Sequence, residues 1–349
     1  MAFVIENLAN VVLSATLTRI AHCMVSVGET RTSAAHHQAI VMQHLATVVP
    51  GVVQSMIVRV AIAGKKWRTA AAPTRKITLW EHTSGCCREE NGLLYCMFFV
   101  PSEVNYMLLG FADDPSQTGN FEVFSMWVSM GITYDSIASD KAANPGRKYM
   151  ISIGGSADSG GMFGIAGGMS VSQWVDNADN SISSIVNSYN ADGVDIQFEG
   201  GTSDPDFSTA ITLLAQRFKA RGFLVSVGPF RGYDGTWNDY ISLPLNDVDY
   251  VFCQFYAKNL QSVDSVVSDI TSAANDLGSW SKLIAGFNSN NRNPNPSTAL
   301  QAVYQLKSSL KGTFTWSAED SQSNSPPYCI EKNSANILNN NQQPGSCNW

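Results

Sequence analysis

The sequence predicts an α/β fold, a (β/α)8 TIM barrel behind a divergent N-terminal region. Three observations carry this. Apolar runs with strand character recur about every 30 residues in the later part of the chain, the size of a βα unit. Helical periodicity fills the intervals between them. With one exception, the runs are apolar on both faces, as parallel strands covered by helices are.

In chain order the runs are NYMLLGFA (105–112), KYMISIGG (148–155), DGVDIQFE (192–199), FLVSVGP (223–229), YVFCQFYA (250–257), KLIAGFN (282–288) and GTFTW (312–316). A helix follows the second, with Trp174, Ala178, Ile182 and Ile185 on one face and Ser170 or Ser172 as its N-cap. Another follows the third over Phe207–Arg221, where Asp204-Pro205 offers a cap residue and a proline at the first helical position. A third is expected over Thr298–Lys311, ended by Gly312. Seven runs leave one barrel strand to find. Ile77–His82 is one candidate. The other reading makes residues 1–97 an unrelated extension before a barrel domain spanning 98–349. An open doubly wound sheet is the rival architecture, but its GxGxxG turn is absent, and the stretch Gly154–Gly168 reads as a long βα loop.

The exception is DGVDIQFE. With side chains alternating along a strand, Val194, Ile196 and Phe198 go to one side, and Asp195, Gln197 and Glu199 to the other. An isolated strand of this kind usually meets water on its polar face. Among strands covered on both sides, carboxylates are rarely buried without a task.

Composition narrows the task. The formal net charge of −7 divides unevenly: residues 1–80 hold eight Lys and Arg against two Glu, +6, and residues 81–349 hold 14 against 27, −13. So acidic a barrel is a poor nucleic-acid binder, and neutral substrates such as sugars suit it better. All five histidines (His22, His36, His37, His44, His82) precede Thr83, which removes Ser/His/Asp and Cys/His nucleophiles and His-ligated zinc from the later region. Carboxylates remain, and acid–base work by Asp or Glu is the mark of glycosidic cleavage. Seven cysteines include no CxxC pair, so no metal site and no cofactor are expected, while Cys329 and Cys347 bracket the tail as a candidate disulfide pair. A soluble protein is expected. The stretch 40–64 is broken by Gln43, His44, Pro50 and Arg59, and the first 20 residues lack the basic start and cleavage site of a signal peptide. Secreted and vacuolar locations both stay open.

Four of these segments together resemble glycoside hydrolase family 18, on the plant class III chitinase and narbonin-like branch. DGVDIQFE stands where that family carries DGxDxDxE on its fourth barrel strand. SIGG at 152–155 resembles its strand-three SxGG, QFYA at 254–257 its strand-six Gln-x-Tyr, and FTWSAEDS at 314–321 its strand-eight tryptophan segment. The resemblance runs from about Val104 to Ile337, with nothing similar before residue 95.

The resemblance implies a chitinase-like hydrolase acting on β-1,4-linked N-acetylglucosamine polymers. Glu199 becomes the proton donor, and the substrate's own N-acetyl oxygen attacks C1 in place of an enzyme nucleophile. Tyr256 would hydrogen-bond the acetamide carbonyl, and Asp195 would take the deeper supporting position. Gln254, Trp316 and Phe111 become the substrate-binding set, with Trp316 as the apolar floor beneath a sugar ring. For Tyr256 and Gln254 the alternative is that they only fill the barrel. One position departs from the family. Gln197 stands where an aspartate faces the developing positive charge, and loss of one such electrostatic partner costs on the order of 10²–10³ in rate. The partner expected is chitin or an N-acetylglucosamine oligosaccharide, bound by a monomer, with no nucleic acid and no membrane. Gln197 keeps two other readings open, a sugar-binding protein of lectin or inhibitor type and a narbonin-like storage protein.

Overall fold

The computed structural model describes residues 76–81, 88–90, 93–95 and 100–347, apart from 124–126, 128–130, 157–160, 233–235, 257 and 291–292. The sequence readings for residues 1–75, His82, Cys86, Cys87 and Cys96 lie outside the described residues.

Eight parallel strands close on themselves. They are β1 (Lys76–Glu81), β4 (Tyr106–Asp113), β6 (Lys148–Gly155), β7 (Gly193–Phe198), β8 (Leu224–Val227), β9 (Tyr250–Gln254), β10 (Leu283–Asn288) and β11 (Gly312–Trp316). The missing strand is β1, at the position of the candidate Ile77–His82. It pairs with β11 from Lys76↔Gly312 to Trp80↔Trp316 and with β4 from Thr78↔Tyr106 to Glu81↔Leu109, which joins the two ends of the sheet. Without β1, β4 and β11 would each present an unpaired edge. A short antiparallel hairpin, β2 (Arg88–Glu90) with β3 (Leu93–Tyr95), stands between β1 and β4, and β5 (Glu122–Val123) adds antiparallel to β4.

Outside the strands lie α1 (Tyr134–Ala143), α2 (Val171–Ser188), α3 (Phe207–Ala220), α4 (Thr236–Ile241), α5 (Val263–Asp276), α6 (Pro296–Leu306), α7 (Ala318–Ser323) and α8 (Cys329–Asn340). Ser170, not Ser172, caps α2: its hydroxyl accepts from Gln173 N at 3.2 Å while Gln173 Oε1 accepts from Ser170 N at 3.0 Å. Trp174, Ala178, Ile182 and Ile185 are all buried beneath it. Two expectations need correction. The cap position of α3 is Asp206, and Asp204 instead accepts from Asp206 N at 2.8 Å, so Asp204-Pro205 makes a turn ahead of the helix. Helix α6 begins earlier than expected, at Pro296 behind the cap Asn295, and stops at Leu306; Gly312 opens β11 and is not a helix terminator. A disulfide between Cys329 and Cys347, with Cα atoms 5.7 Å apart, ties the tail to the start of α8.

Alternation sorts the strand side chains into two cores. Outward residues such as Met107, Ile151, Val194, Ile196, Phe198, Val227, Val251 and Phe287 join the helices in the larger one. Inside the barrel, Tyr106, Leu108, Met150, Phe252, Ile284 and Phe314 form the smaller. Asp192, just before β7, pins the strand's entry: its carboxylate accepts from Tyr149 N at 2.9 Å and lies 2.7 Å and 3.0 Å from the Lys141 and Lys148 ammonium groups.

Candidate active site

The interior face of β7 sets the site's depth. Asp195 is fully buried in mid-barrel, at the level where β6, β7 and β8 are in register through Ser152↔Asp195↔Ser226. Both oxygens are taken: Ser226 Oγ donates to Oδ1 at 2.6 Å and Ser152 Oγ to Oδ2 at 3.0 Å. Burial outweighs these two hydroxyls and raises the Asp195 pKa to about 6. Sequence reasoning matched Ser152 only as part of SIGG and missed Ser226, although a lone hydroxyl inside the apolar run FLVSVGP is a readable signal.

Two residues further along, Gln197 is also buried. Its Nε2 donates to Glu199 Oε1 at 2.7 Å, and its Oε1 is buried with no hydrogen-bond partner. A glycine on β6 and another just past the end of β8 leave room for it. A Cβ on Gly154, where φ is +94°, would sit 2.6 Å from the Gln197 carbonyl oxygen, and one on Gly228 would sit 2.8 Å from its Cγ.

Glu199 lies just past the C-terminal end of β7, half-buried, in a pocket of about 170 Å³ lined by Phe111, Ser156, Glu199, Phe230, Gln254, Tyr256 and Trp316. The mouth of a barrel at its strands' C-terminal ends is where sites of this fold lie. Thus five of the seven residues singled out from sequence (Glu199, Tyr256, Gln254, Trp316, Phe111) line one pocket. Asp195 and Gln197 are not on its wall; they lie buried on the same face of β7 that leads up to Glu199. Sequence reasoning missed Phe230, which follows a Gly-Pro pair at the end of its run, and Ser156.

The polar and aromatic walls draw on the ends of several strands. Gln254, fully buried at the end of β9, donates from Nε2 to Gly228 O at 3.0 Å, and the Tyr256 hydroxyl donates to Gln254 Oε1. Burial, followed by the charge of Glu199, pushes the Tyr256 hydroxyl well above its ordinary range, so it keeps its proton. Trp316 at the end of β11 stacks on Phe111 from β4, with ring centroids 6.2 Å apart and planes 30° from parallel. Phe230 meets Tyr256 edge to face at 6.4 Å. The result is a carboxyl group and a protonated phenol at one pocket, with an aromatic shelf. Such a set can donate a proton to a leaving oxygen and lay an apolar sugar face on a ring.

The profile described as Glycosyl hydrolases family 18 matches residues 76–339. The chain belongs to glycoside hydrolase family 18. That match starts at β1, well before the segment from Val104 in which the resemblance was visible by motif. Chitinase 1 of Tulipa saxatilis subsp. bakeri is 27% identical over 253 residues, covering 67% of this chain and 78% of the tulip protein. The crystal structure of the catalytic domain of a family 18 chitinase from the fern Peteris ryukyuensis superposes with a TM-score of 0.65 at 29% identity, over 76% of this chain and all of the fern domain. A family 18 chitinase from Crocus vernus shares the fold at a TM-score of 0.61 and 24% identity, over 75% of this chain and 98% of its own. The fold and the relatives support a chitinase-like glycoside hydrolase.

Proposed function

We propose that this family 18 barrel hydrolyses β-1,4-linked N-acetylglucosamine polymers with retention, through substrate assistance, at a rate held down by Gln197. One observation carries the reading: Glu199, Tyr256, Gln254, Trp316 and Phe111 line a single pocket at the barrel mouth. Glu199 would protonate the glycosidic oxygen as the substrate's acetamide oxygen closes on C1, then take a proton from the water that opens the cyclic intermediate. Tyr256 would donate to the acetamide carbonyl, which requires its hydroxyl to turn away from Gln254 Oε1. Trp316 and Phe111 would carry the sugar ring. Asp195, holding Ser152 and Ser226, supports the strand that presents the acid.

Gln197 enters this scheme as a neutral amide where a carboxylate would stabilise the developing positive charge. Its amide also ties up the acid, donating a hydrogen bond to Glu199 Oε1 at 2.7 Å. This contact supports a second reading, a sugar-binding protein that recognises the same oligosaccharide without cleaving it. The aromatic-lined pocket supports these two readings over the storage one. The Cys329–Cys347 disulfide supports an oxidising compartment.

Incubation with chitotetraose, followed by product analysis and proton NMR of the nascent anomer, tests the proposal. Shorter β-anomeric N-acetylglucosamine oligosaccharides are expected. Binding with no product would select the sugar-binding reading, and neither binding nor product would overturn both.

A further inference from the structure

The acid sits where β7 loses a neighbouring strand. On the β6 side the chain stays anchored, with Glu199 N donating to Gly155 O at 3.1 Å. On the other side, Gly228 N reaches Ile196 O at 2.9 Å, and there the ladder with β8 ends. Pro229, lacking an N–H, cannot extend it. The chain turns instead to β9, where Gln254 N bonds Pro229 O at 3.0 Å and Arg231 N bonds Gln254 O at 3.1 Å. Both backbone groups of Phe198, the residue before the acid, would then be buried without partners.

One side chain of α4 fills both places. The Tyr240 hydroxyl accepts from Phe198 N at 2.7 Å and donates to Phe198 O at 3.3 Å, and Tyr240 is itself 1% exposed. Its neighbour in α4, Asp239, accepts from Thr202 Oγ1 at 2.6 Å, three residues beyond the acid. The two contacts therefore fall on either side of Glu199. The same helix reaches a second residue of the pocket lining, where Thr236 Oγ1 accepts from Phe230 N at 3.1 Å and donates to Phe230 O at 3.0 Å.

We propose that α4 is a bracket for the proton donor, with Tyr240 and Thr202 as positioning residues that hold the peptide from which Glu199 projects. This rests on the hydrolase reading for its kinetic consequence, but not for its structural one. A carboxyl aimed at a glycosidic oxygen has little tolerance, since a displacement of about 1 Å lowers a rate by about 10²-fold. Neither residue touches the pocket, so substrate affinity is spared.

The test compares Tyr240→Phe, Thr202→Val and, as a control, Tyr106→Phe, which removes another tyrosine hydroxyl from inside the barrel (Tyr106 donates to Tyr250 at 3.2 Å). Two readouts are taken: kcat and KM on chitotetraose, and the separation of Gln197 Nε2 from Glu199 Oε1 in crystals of each variant. Tyr240→Phe is expected to lower kcat by about 10²-fold with KM within about twofold, and to move the Glu199 carboxyl away from Gln197. Thr202→Val should do the same to a smaller degree, and it carries the test should Tyr240→Phe fail to fold. Tyr106→Phe should leave kcat alone. Unchanged kcat with an unmoved carboxyl, or an equal loss in the control, would overturn the bracket. Should the wild-type protein cleave nothing, the hydrolase reading falls, and the crystallographic separation alone decides: a displaced Glu199 supports the bracket and an unmoved one refutes it.

Discussion

Asp195 and Gln197 stand two residues apart on the same face of the same strand, and the fold completes them differently. Asp195 has a hydroxyl from each neighbouring strand on its two oxygens, a closed arrangement in the middle of the barrel. Gln197 is flanked by Gly154 on β6 and Gly228 just past β8, gives one end of its amide to Glu199, and keeps the other end buried without a hydrogen bond. Leaving a buried acceptor unmet costs about 1–3 kcal/mol. The lower level is thus support, satisfied from within the fold. The upper level sets polar groups beside the pocket at some expense to stability.

The sharpest way to separate the two levels is at the acid. Glu199→Gln should lower chitotetraose hydrolysis by about 10³-fold, within the range for loss of a general acid, while titration calorimetry still detects binding. Retained turnover would remove Glu199 from the chemistry.

A pH series probes the lower level. The folded pKa of Asp195, about 6, lies above the 3.8 of a free aspartate, so its contribution to stability is complete below pH 4 and lost as pH rises through 6. The loss amounts to about 3 kcal/mol at most, taking 1.36 kcal/mol per pKa unit. Asp195→Asn has no such charge to bury. Urea titrations should show the variant gaining on wild type between pH 4 and 7. Parallel curves would mean that the two serines already hold the carboxylate without penalty.

The smallest effect is expected on the aromatic shelf. Trp316→Ala removes the ring stacked on Phe111 and should weaken chitotetraose binding by about 1 kcal/mol, roughly fivefold in Kd. An unchanged Kd by calorimetry would assign Trp316 to the barrel filling alone.

The strands β6 and β11 are legible to the residue, since KYMISIGG and GTFTW fall on Lys148–Gly155 and Gly312–Trp316. Strand β1 stayed ambiguous for a physical reason: KITLWE is short, and nothing local says that β4 and β11 both need it. The pocket was legible where a motif carried it, as with Glu199, Tyr256 and Trp316. Phe230 in the pocket and Tyr240 behind it were not, because each acts through a contact with a residue distant in sequence, and the hydroxyl of Ser226, though readable in FLVSVGP, carried no sign of its partner Asp195. Sequence put Asp195 and Gln197 on the face of β7 that bears Glu199, but alternation gives the face of a side chain and not its depth.

The central claim is that Gln197 limits this site, and exchanging it for aspartate tests that most directly. In Gln197→Asp, the rate of chitotetraose cleavage should rise at least ~10-fold, a conservative share of the 10²–10³ attached to one electrostatic partner. The gain has two sources: a charge facing the cyclic intermediate, and a like-charge neighbour that helps Glu199 hold its proton. The double variant with Glu199→Gln should show none of it. Equal rates in wild type and Gln197→Asp would contradict the claim.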